Sequence, residues 1–130
     1  QRLPEAEAEA LWHSLREQQL PFFSQDDDPR ALWRLAVPDT TAPLTVPADA
    51  DELVEWGGGL RWWRSSADAA QIRAVAAAAG GHATLFRGRP EPGVPVFTPL
   101  APVNWAIQQR LKQAFDPAGV FNPGRMYAAM

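Results

Sequence analysis

The sequence predicts an α+β domain, with a ferredoxin-like antiparallel sheet of about four strands, helices packed on one face, and a rigid C-terminal tail. Strand-like patterns occur at 31–38, 53–56, 60–64 and 82–88. Helical spacing of apolar residues occurs at 4–18, 67–79 and 102–115. Two Asx-Pro turns follow the last helix. Because 130 residues suit one domain, we treat 1–130 as a single unit.

The predicted helices have recognisable ends. Pro4 suits a first helical turn. Ser66 or Asp68 caps the second helix, and Gly80 with Gly81 ends it. The third helix carries apolar side chains along one face, at Val103, Ala106, Ile107, Leu111, Ala114 and Phe115.

The strands are separated by turn signals. The alternation in 31–38 gives one face of Leu32, Arg34 and Ala36 and another of Trp33, Leu35 and Val37. Three glycines at 57–59 join the second and third strands into a hairpin, because glycine reaches positive φ without strain.

Composition excludes several classes of partner. The net charge is -3 and no basic cluster is present, so we expect neither nucleic acid nor an anionic membrane surface as a partner. No apolar run approaches the roughly 20 residues of a transmembrane helix. The absence of cysteine is compatible with a reducing compartment. The polar, acidic N-terminus has no signal-peptide pattern, and it lacks an initiator methionine, which suggests a fragment of a longer chain.

No metal site is predicted. His13 and His82 are the only histidines, and neither has a neighbouring ligand pattern. The acidic stretch at 25–30 lacks the alternating ligands and glycine of a calcium loop, so we interpret it as a solvated turn.

Four arginines lie on or beside the predicted strands, at Arg34, Arg61, Arg64 and Arg87. An arginine on the inner face of a sheet can bind an acid substrate or a flavin. The other interpretation is a solvated or edge arginine that pairs with Glu52 or Glu55.

The tail should be sharply folded. The residues at 116–119, DPAG, fit a type I turn, and NPGR at 122–125 fits a type II turn with Gly124 at positive φ. The following prolines favour extended geometry at Asp116 and Asn122. These turns hold the Asn122 amide and the Arg125 guanidinium in place. The tail either seals a core or forms the edge of a ligand site, since a guanidinium suits carboxylate or phosphate and an amide suits heteroaromatic rings.

The segment LKQAFDPAGVFNPGRMY at 111–127 resembles the C-terminal signature of the FAD-linked oxidases of the vanillyl-alcohol oxidase / D-lactate dehydrogenase superfamily. In that signature a helix leads into a D-P…N-P-G-[KR] tail. The segments ALWRLAVP and ELVEWGGGLRWWRS are similar to the glycolate oxidase FAD-binding subunits, the E-type subunits, and the W-G-G-x-x-R-W stretch at 56–62 points to them. The resemblance spans about residues 30–127.

The resemblance implies a longer flavoprotein with an N-terminal FAD-binding domain and a C-terminal cap domain, and we expect this chain to be the cap domain alone. The tail of such enzymes returns to the flavin, so the resemblance implies that Asn122, Gly124 and Arg125 contact FAD. No glycine-rich run before a helix is present to hold a pyrophosphate. The isolated chain should therefore bind FAD weakly or not at all and be inactive.

The resemblance also implies a function and partners. The complex would oxidise glycolate, a 2-hydroxy acid, to glyoxylate and pass electrons through flavin to an iron–sulfur subunit. The partners would be the chain's own N-terminal FAD domain and the other glycolate oxidase subunits, in the cytoplasm or peripheral to the inner membrane through the complex. The His-rich metal motif of catalytic relatives is absent from the sequence, so we assign no catalytic residue and expect oxidation in the related D subunit.

A second hypothesis is a non-catalytic subunit-interaction module with a Trp-rich docking face. The chain contains six tryptophans, which combine a large contact area with an N–H that needs a partner. Tryptophans with these properties pack either in a hydrophobic core or at an interface with another protein. The surroundings of Asn122 and Arg125 discriminate between the hypotheses, because an open edge favours flavin binding and a sealed one favours the interaction module.

Overall fold

The computed structural model describes residues 3–23 and 28–130. Three α-helices are present, α1 (Glu5–Arg16), α2 (Ala69–Ala78) and α3 (Pro102–Phe115). Four strands are present, β1 (Ala31–Ala36), β2 (Asp51–Glu55), β3 (Leu60–Ser65) and β4 (His82–Arg87). Single 3-10 turns occur at Pro21–Phe23 and Trp56–Gly58. Within the described part of the chain, every predicted helix and strand is therefore found. Residues 25–27 of the predicted acidic turn lie outside the described residues.

The four strands form one antiparallel sheet in the order β2-β3-β1-β4. This confirms the α+β class with a four-stranded sheet. The connection between β1 and β2 is a proline-rich loop at 37–50 that contains no helix. The finer ferredoxin-like arrangement stays a prediction, because that fold has a helix at this crossover.

One face of the sheet forms the larger core against α2. Asp68 caps α2 by accepting a hydrogen bond of 2.7 Å from the Gln71 N–H, and Gly80 follows the helix with a φ of +75°. The buried residues of this face are Trp33, Leu35, Trp63, Ala69, Ile72, Ala76, Ala83 and Leu85. The apolar spacing of α2 thus supplies the helical layer of the fold.

The opposite face is apolar as well. Leu32, Leu60 and Trp62 are buried there beneath the 3-10 turn Pro21–Phe23. The rings of Phe23 and Trp62 meet edge to face with their centroids 5.4 Å apart. The sheet is therefore covered on both faces at its centre, and every residue of β3 is buried.

Neither α1 nor α3 contains a buried residue. On α3, Val103 is 70% exposed and Phe115 is 82% exposed. The apolar face predicted for α3 therefore exists but is not part of the core.

Two indoles of β3 attach β2 to the sheet through side chains. The Trp62 Nε1–H donates to Glu55 Oε2 at 2.6 Å, and the Trp63 Nε1–H donates to Glu52 Oε1 at 3.0 Å. These two buried N–H groups thereby have acceptors, as a buried donor requires, whereas the buried Nε1 of Trp33 has no partner among the described residues.

The hairpin between β2 and β3 turns through the predicted glycines, but its first left-handed residue is Trp56, with a φ of +51°. Gly57 and Gly58 follow with φ of +60° and +102°. A tryptophan in this region is strained, since its Cβ crowds the backbone. The sequence did not reveal this strain.

The outer edge of β4 is covered by the segment 96–98. The Leu85 N–H donates to the Val96 carbonyl at 3.1 Å. The Thr98 hydroxyl accepts from the Ala83 N–H at 3.2 Å and donates to the Ala83 carbonyl at 2.7 Å. This edge of the sheet is therefore closed by the chain itself.

Candidate functional site

The C-terminal tail is organised by Asp116, which is buried directly after α3. Its carboxylate accepts hydrogen bonds of 2.9 Å from the backbone N–H groups of Val120 and Phe121. Lys112, one turn earlier on α3, donates from Nζ to Asp116 Oδ2 at 2.5 Å and to the Phe121 carbonyl at 2.6 Å. The Lys112 ammonium, reinforced by the two N–H donors, lowers the pKa of Asp116 to about 2.

Both predicted turns are present. The Gly119 N–H donates to the Asp116 carbonyl at 3.0 Å, and the Arg125 N–H donates to the Asn122 carbonyl at 3.2 Å. Gly124 has a φ of +69°, as its position in the turn requires. The expectation of extended geometry at Asn122 is wrong, because its φ is +47°. Asparagine tolerates this left-handed conformation better than most residues.

The turns place two of the three predicted site residues on an open groove, which we call the tail groove. Asn122 and Arg125 both line it, and both are exposed. Gly124 lies in the turn between them and does not line the groove. The cavity measures about 430 Å³, and its other lining residues are Phe97, Lys112, Phe121, Met126 and Met130. The groove therefore presents the Asn122 amide and the Arg125 guanidinium among apolar side chains, whereas the Lys112 ammonium is paired with Asp116.

A second cavity, the Arg34 pocket, adjoins the tail groove. It measures about 500 Å³ and shares Phe97 and Met126 with the groove. Its polar lining side chains are Arg34, His82, Thr84, Thr98, Asn104 and Tyr127.

The sheet register positions this pocket. Arg34 on β1 lies opposite Thr84 on β4, and Ala36 lies opposite His82, so these β4 residues flank the guanidinium. Asn104 comes from α3. Among the described residues, the Arg34 guanidinium has no hydrogen-bond or ion-pair partner. A half-buried guanidinium with polar neighbours and no internal acceptor suits an anion.

The other three arginines have structural roles. Arg61 donates to the Gly58 carbonyl at 2.8 Å, and its guanidinium lies 3.9 Å from Glu52. Arg64 donates to the Phe22 carbonyl at 2.7 Å, and Arg87 donates to the Phe23 carbonyl at 3.0 Å. These bonds anchor the hairpin and the 3-10 turn to the sheet. Of the four candidate arginines, Arg34 alone lines a cavity with an uncommitted guanidinium within the described residues.

No group of three or more potential metal ligands is found among the described residues. His82 lines the Arg34 pocket, whereas His13 lies on α1. No helix in the described ranges has the length and apolar character needed to cross a bilayer.

Exposed apolar side chains occur along α3 and the tail, and we call this set the C-terminal apolar surface. Its members on α3 and the tail are Val103, Ile107, Leu111, Phe115, Val120 and Phe121. Contiguous apolar patches on monomers usually mark contact surfaces.

Comparison with known protein families indicates the class of protein to which the chain is similar. Residues 98–126 match the family model described as FAD linked oxidases, C-terminal domain. The matched residues include all of α3, Asp116 and the turn with Asn122, Gly124 and Arg125. The chain is thus similar to the FAD-linked oxidases over the segment that supplies most of the tail-groove residues, which confirms the predicted resemblance.

A curated protein to which the chain is similar is the glycolate oxidase subunit GlcE of Escherichia coli (strain K12). The two sequences are 47% identical over 120 residues, which cover 92% of this chain and 32% of the relative. The chain therefore spans about a third of the length of this curated relative. No solved structure gives a significant match.

Proposed function

We propose that this chain is the C-terminal cap domain of the FAD-binding subunit of a glycolate oxidase complex, where it supports flavin-dependent oxidation of glycolate to glyoxylate. The observation that carries the proposal is the adjacency of the tail groove and the Arg34 pocket, which share Phe97 and Met126. The similarity to a glycolate oxidase subunit over nearly the whole chain supports the choice of substrate.

The tail groove fits one edge of a flavin. Phe97, Phe121 and Met126 offer apolar walls for a planar ring, and the Asn122 amide can pair with its carbonyl and N–H groups. Arg125 supplies a fork for an anionic or carbonyl oxygen. FAD, when bound, would accept the two electrons that leave the 2-hydroxy acid.

The rest of the cofactor has no counterpart in the described residues. The glycines at 57–59 form the hairpin turn and do not precede a helix, so they cannot cradle a pyrophosphate. The chain alone should therefore bind FAD weakly or not at all.

Arg34 is proposed to hold the glycolate carboxylate. A guanidinium binds a carboxylate through two parallel N–H donors, and Thr84 and Asn104 add neutral donors in the same pocket. This assigns the carboxylate contact to Arg34, next to the flavin edge that the tail groove is proposed to hold.

The C-terminal apolar surface is proposed to pack against an N-terminal FAD-binding domain of the same polypeptide. Burial of its exposed side chains, including Val103 and Phe115, would stabilise that contact by the hydrophobic effect. Other glycolate oxidase subunits, among them an iron–sulfur subunit, would receive the electrons. Attachment to the inner membrane through the complex stays a prediction.

FAD retention in the full-length subunit tests the proposal. Arg125→Ala should lower the FAD content of the purified protein or raise its dissociation constant at least about tenfold, the loss expected for a hydrogen bond to a charged group. Arg16→Ala is the matched control, because Arg16 is exposed and pairs with the adjacent Glu17 at 2.7 Å. Unchanged FAD retention in Arg125→Ala would favour a tail that serves only as a lid.

The interaction module is the second candidate function. It is favoured by the exposure of Trp12 at 70% and Trp56 at 82%, outside both cavities described above. FAD retention in Arg125→Ala distinguishes the two candidate functions, since an interaction module needs no flavin contact at Arg125.

A further inference from the structure

Phe97 forms part of the wall of two cavities, the tail groove and the Arg34 pocket. It belongs to the segment 95–98, which we call the strap and which runs along the outer edge of β4. The Phe97 side chain is half-buried, and its ring centroid lies 6.2 Å from that of Tyr127. The position of the strap therefore affects the shape of both cavities.

The strap bonds to β4 on either side of Phe97, at Val96 and Thr98. Neither contact involves the backbone of Phe97 itself. Within the described part of the chain, the hydrogen bond to that backbone comes from Arg73 on α2, whose Nη2 group lies 3.4 Å from the Phe97 carbonyl oxygen. The strap is therefore held at Phe97 from α2 and not from β4.

Arg73 reaches the strap at more than one residue. Its Nη2 group also donates to the carbonyl oxygens of Pro95 and Val96, the second at 3.3 Å. The guanidinium lies over the buried ring of Trp33, with 5.8 Å from Cζ to the ring centroid, which is a cation–π geometry. Arg73 is thus placed against the core and faces three consecutive carbonyl groups.

Arginine has a cost at this position. The Nε of Arg73 is buried and has no partner among the described residues, and a buried donor without an acceptor destabilises a fold. A methionine would supply a similar apolar stem without that donor. The contact with the strap carbonyls is what an apolar side chain could not replace.

We propose that Arg73 is a positioning residue for the flavin and substrate sites and that it acts through Phe97. By donating to three consecutive carbonyl groups, it fixes the strap against α2 and so sets where the Phe97 ring lies between the two cavities. Arg73 itself lines neither cavity. This role rests on the proposed function, which assigns the flavin edge and the carboxylate to these cavities.

The first test is an NMR comparison on the 130-residue chain and does not depend on activity. In Arg73→Met, we expect the amide signals of 95–98 and the ring signals of Phe97 and Tyr127 to shift, while those of β2 stay in place. Ala74→Gly is the matched control, because it weakens the same helix at an exposed position and removes no strap contact. Unchanged strap signals in Arg73→Met, or equal shifts in Ala74→Gly, would overturn the proposal.

The second test uses the full-length subunit in its complex. Arg73→Met should raise both the FAD dissociation constant and the KM for glycolate at least about fivefold, because one displaced ring borders both cavities. Arg73→Lys should recover part of both effects, since an ammonium can still donate to a strap carbonyl. Ala74→Gly should lower Tm and leave both constants of the folded protein unchanged.

Phe97→Ala tests the route of the effect. If Arg73 acts through Phe97, the double variant should match Phe97→Ala alone, because residues that act through one contact are not additive. Fully additive effects would overturn the proposal, as would normal constants in Arg73→Met beside raised constants in Phe97→Ala. If Phe97→Ala itself left both constants unchanged, the proposed function would fail, and the role of Arg73 with it.

Discussion

Lys112 and Asp116 form an ion pair of 2.5 Å across one turn at the end of α3, and this pair fixes the start of the C-terminal tail. Asp116 also accepts from the backbone of Val120 and Phe121, so a single carboxylate joins the helix to the loop that follows. The tail is therefore ordered by a buried carboxylate that accepts from three donors, in addition to its prolines.

Removal of this carboxylate should release the tail. In Asp116→Ala, we expect amide hydrogen exchange at Val120 and Phe121 to accelerate at least about tenfold, because both lose their acceptor. Exchange in β3 should hardly change. Asp39→Ala is the matched control at an exposed aspartate. Unchanged protection at Val120 and Phe121 would show that the turns alone order the tail.

The tail should also respond to acid. The pKa of Asp116 is lowered from 3.8 to about 2, so its stabilisation is complete above the unfolded value and is lost as pH falls through the folded one. Amide NMR shifts of Val120 and Phe121 should move with a midpoint near pH 2, because they follow the pKa of Asp116 in the folded chain.

Hydrogen bonds from Ser66 lower the pKa of Asp49 to about 2, and hydrogen bonds from Arg30 lower the pKa of Asp28 to about 2. A global probe would therefore report all three carboxylates. Asp116→Asn isolates the tail, because its amide cannot titrate. A midpoint near pH 4 in the unchanged chain would contradict the lowered pKa of Asp116.

Two tryptophans provide a matched comparison of stability. Trp63 is 0% exposed at the centre of the sheet, and Trp63→Ala should lower the free energy of unfolding by about 3–5 kcal/mol through the cavity that it leaves. Trp12→Ala, at an exposed position, should change it by less than about 0.5 kcal/mol. Urea denaturation monitored by circular dichroism measures both. Similar losses in the two variants would show that α1 packs more firmly than its exposure indicates.

Alanine substitutions at two glycines test whether a steric clash or the loss of backbone flexibility determines the change in stability. A Cβ at Gly81 would lie 2.1 Å from the Ala36 carbonyl oxygen, so Gly81→Ala forces the backbone of β1 and β4 apart. We expect a loss of about 3 kcal/mol in the free energy of unfolding. Gly59 has a φ of -76° and ordinary contacts of 3.4 Å, so Gly59→Ala should be nearly neutral. An equal loss in both variants would mean that lost flexibility, and not the clash, sets the cost.

The Arg34 pocket predicts a substrate effect in the assembled complex. Arg34→Lys should raise the KM for glycolate by about tenfold or more, because lysine cannot supply the two parallel donors of a guanidinium. Arg16→Lys serves as the control. A normal KM in Arg34→Lys, with FAD content intact, would place the carboxylate contact elsewhere.

The elements of the fold were predictable because their signals are local. Pro4 and Gly80 mark helix ends through backbone geometry, and Asp68 marks one through its side-chain hydrogen bond. The Pro-Gly steps of the tail specify turns without tertiary contacts. The tail groove was predictable for the same reason, since the turn spacing brings Asn122 and Arg125 to one edge.

The remaining features depend on distant partners. Arg34 and Arg64 look alike in the sequence. In the structure, however, Arg64 donates a hydrogen bond to the Phe22 carbonyl, 42 residues away, whereas Arg34 lines a cavity. The role of Asp116 was also missed, because it depends on a buried carboxylate and not on its proline. The sequence did contain a signal for this role, because Lys112 lies four residues before Asp116, the spacing at which oppositely charged residues of a helix can pair.

The uneven placement of the tryptophans gives the molecule built-in optical reporters. Trp33, Trp62 and Trp63 are buried and should emit at short wavelengths, whereas Trp12 and Trp56 are exposed and should emit further to the red. An acrylamide quencher would reach the second group first. Steady-state fluorescence can thus follow events at the hairpin turn separately from melting of the sheet, with no dye attached.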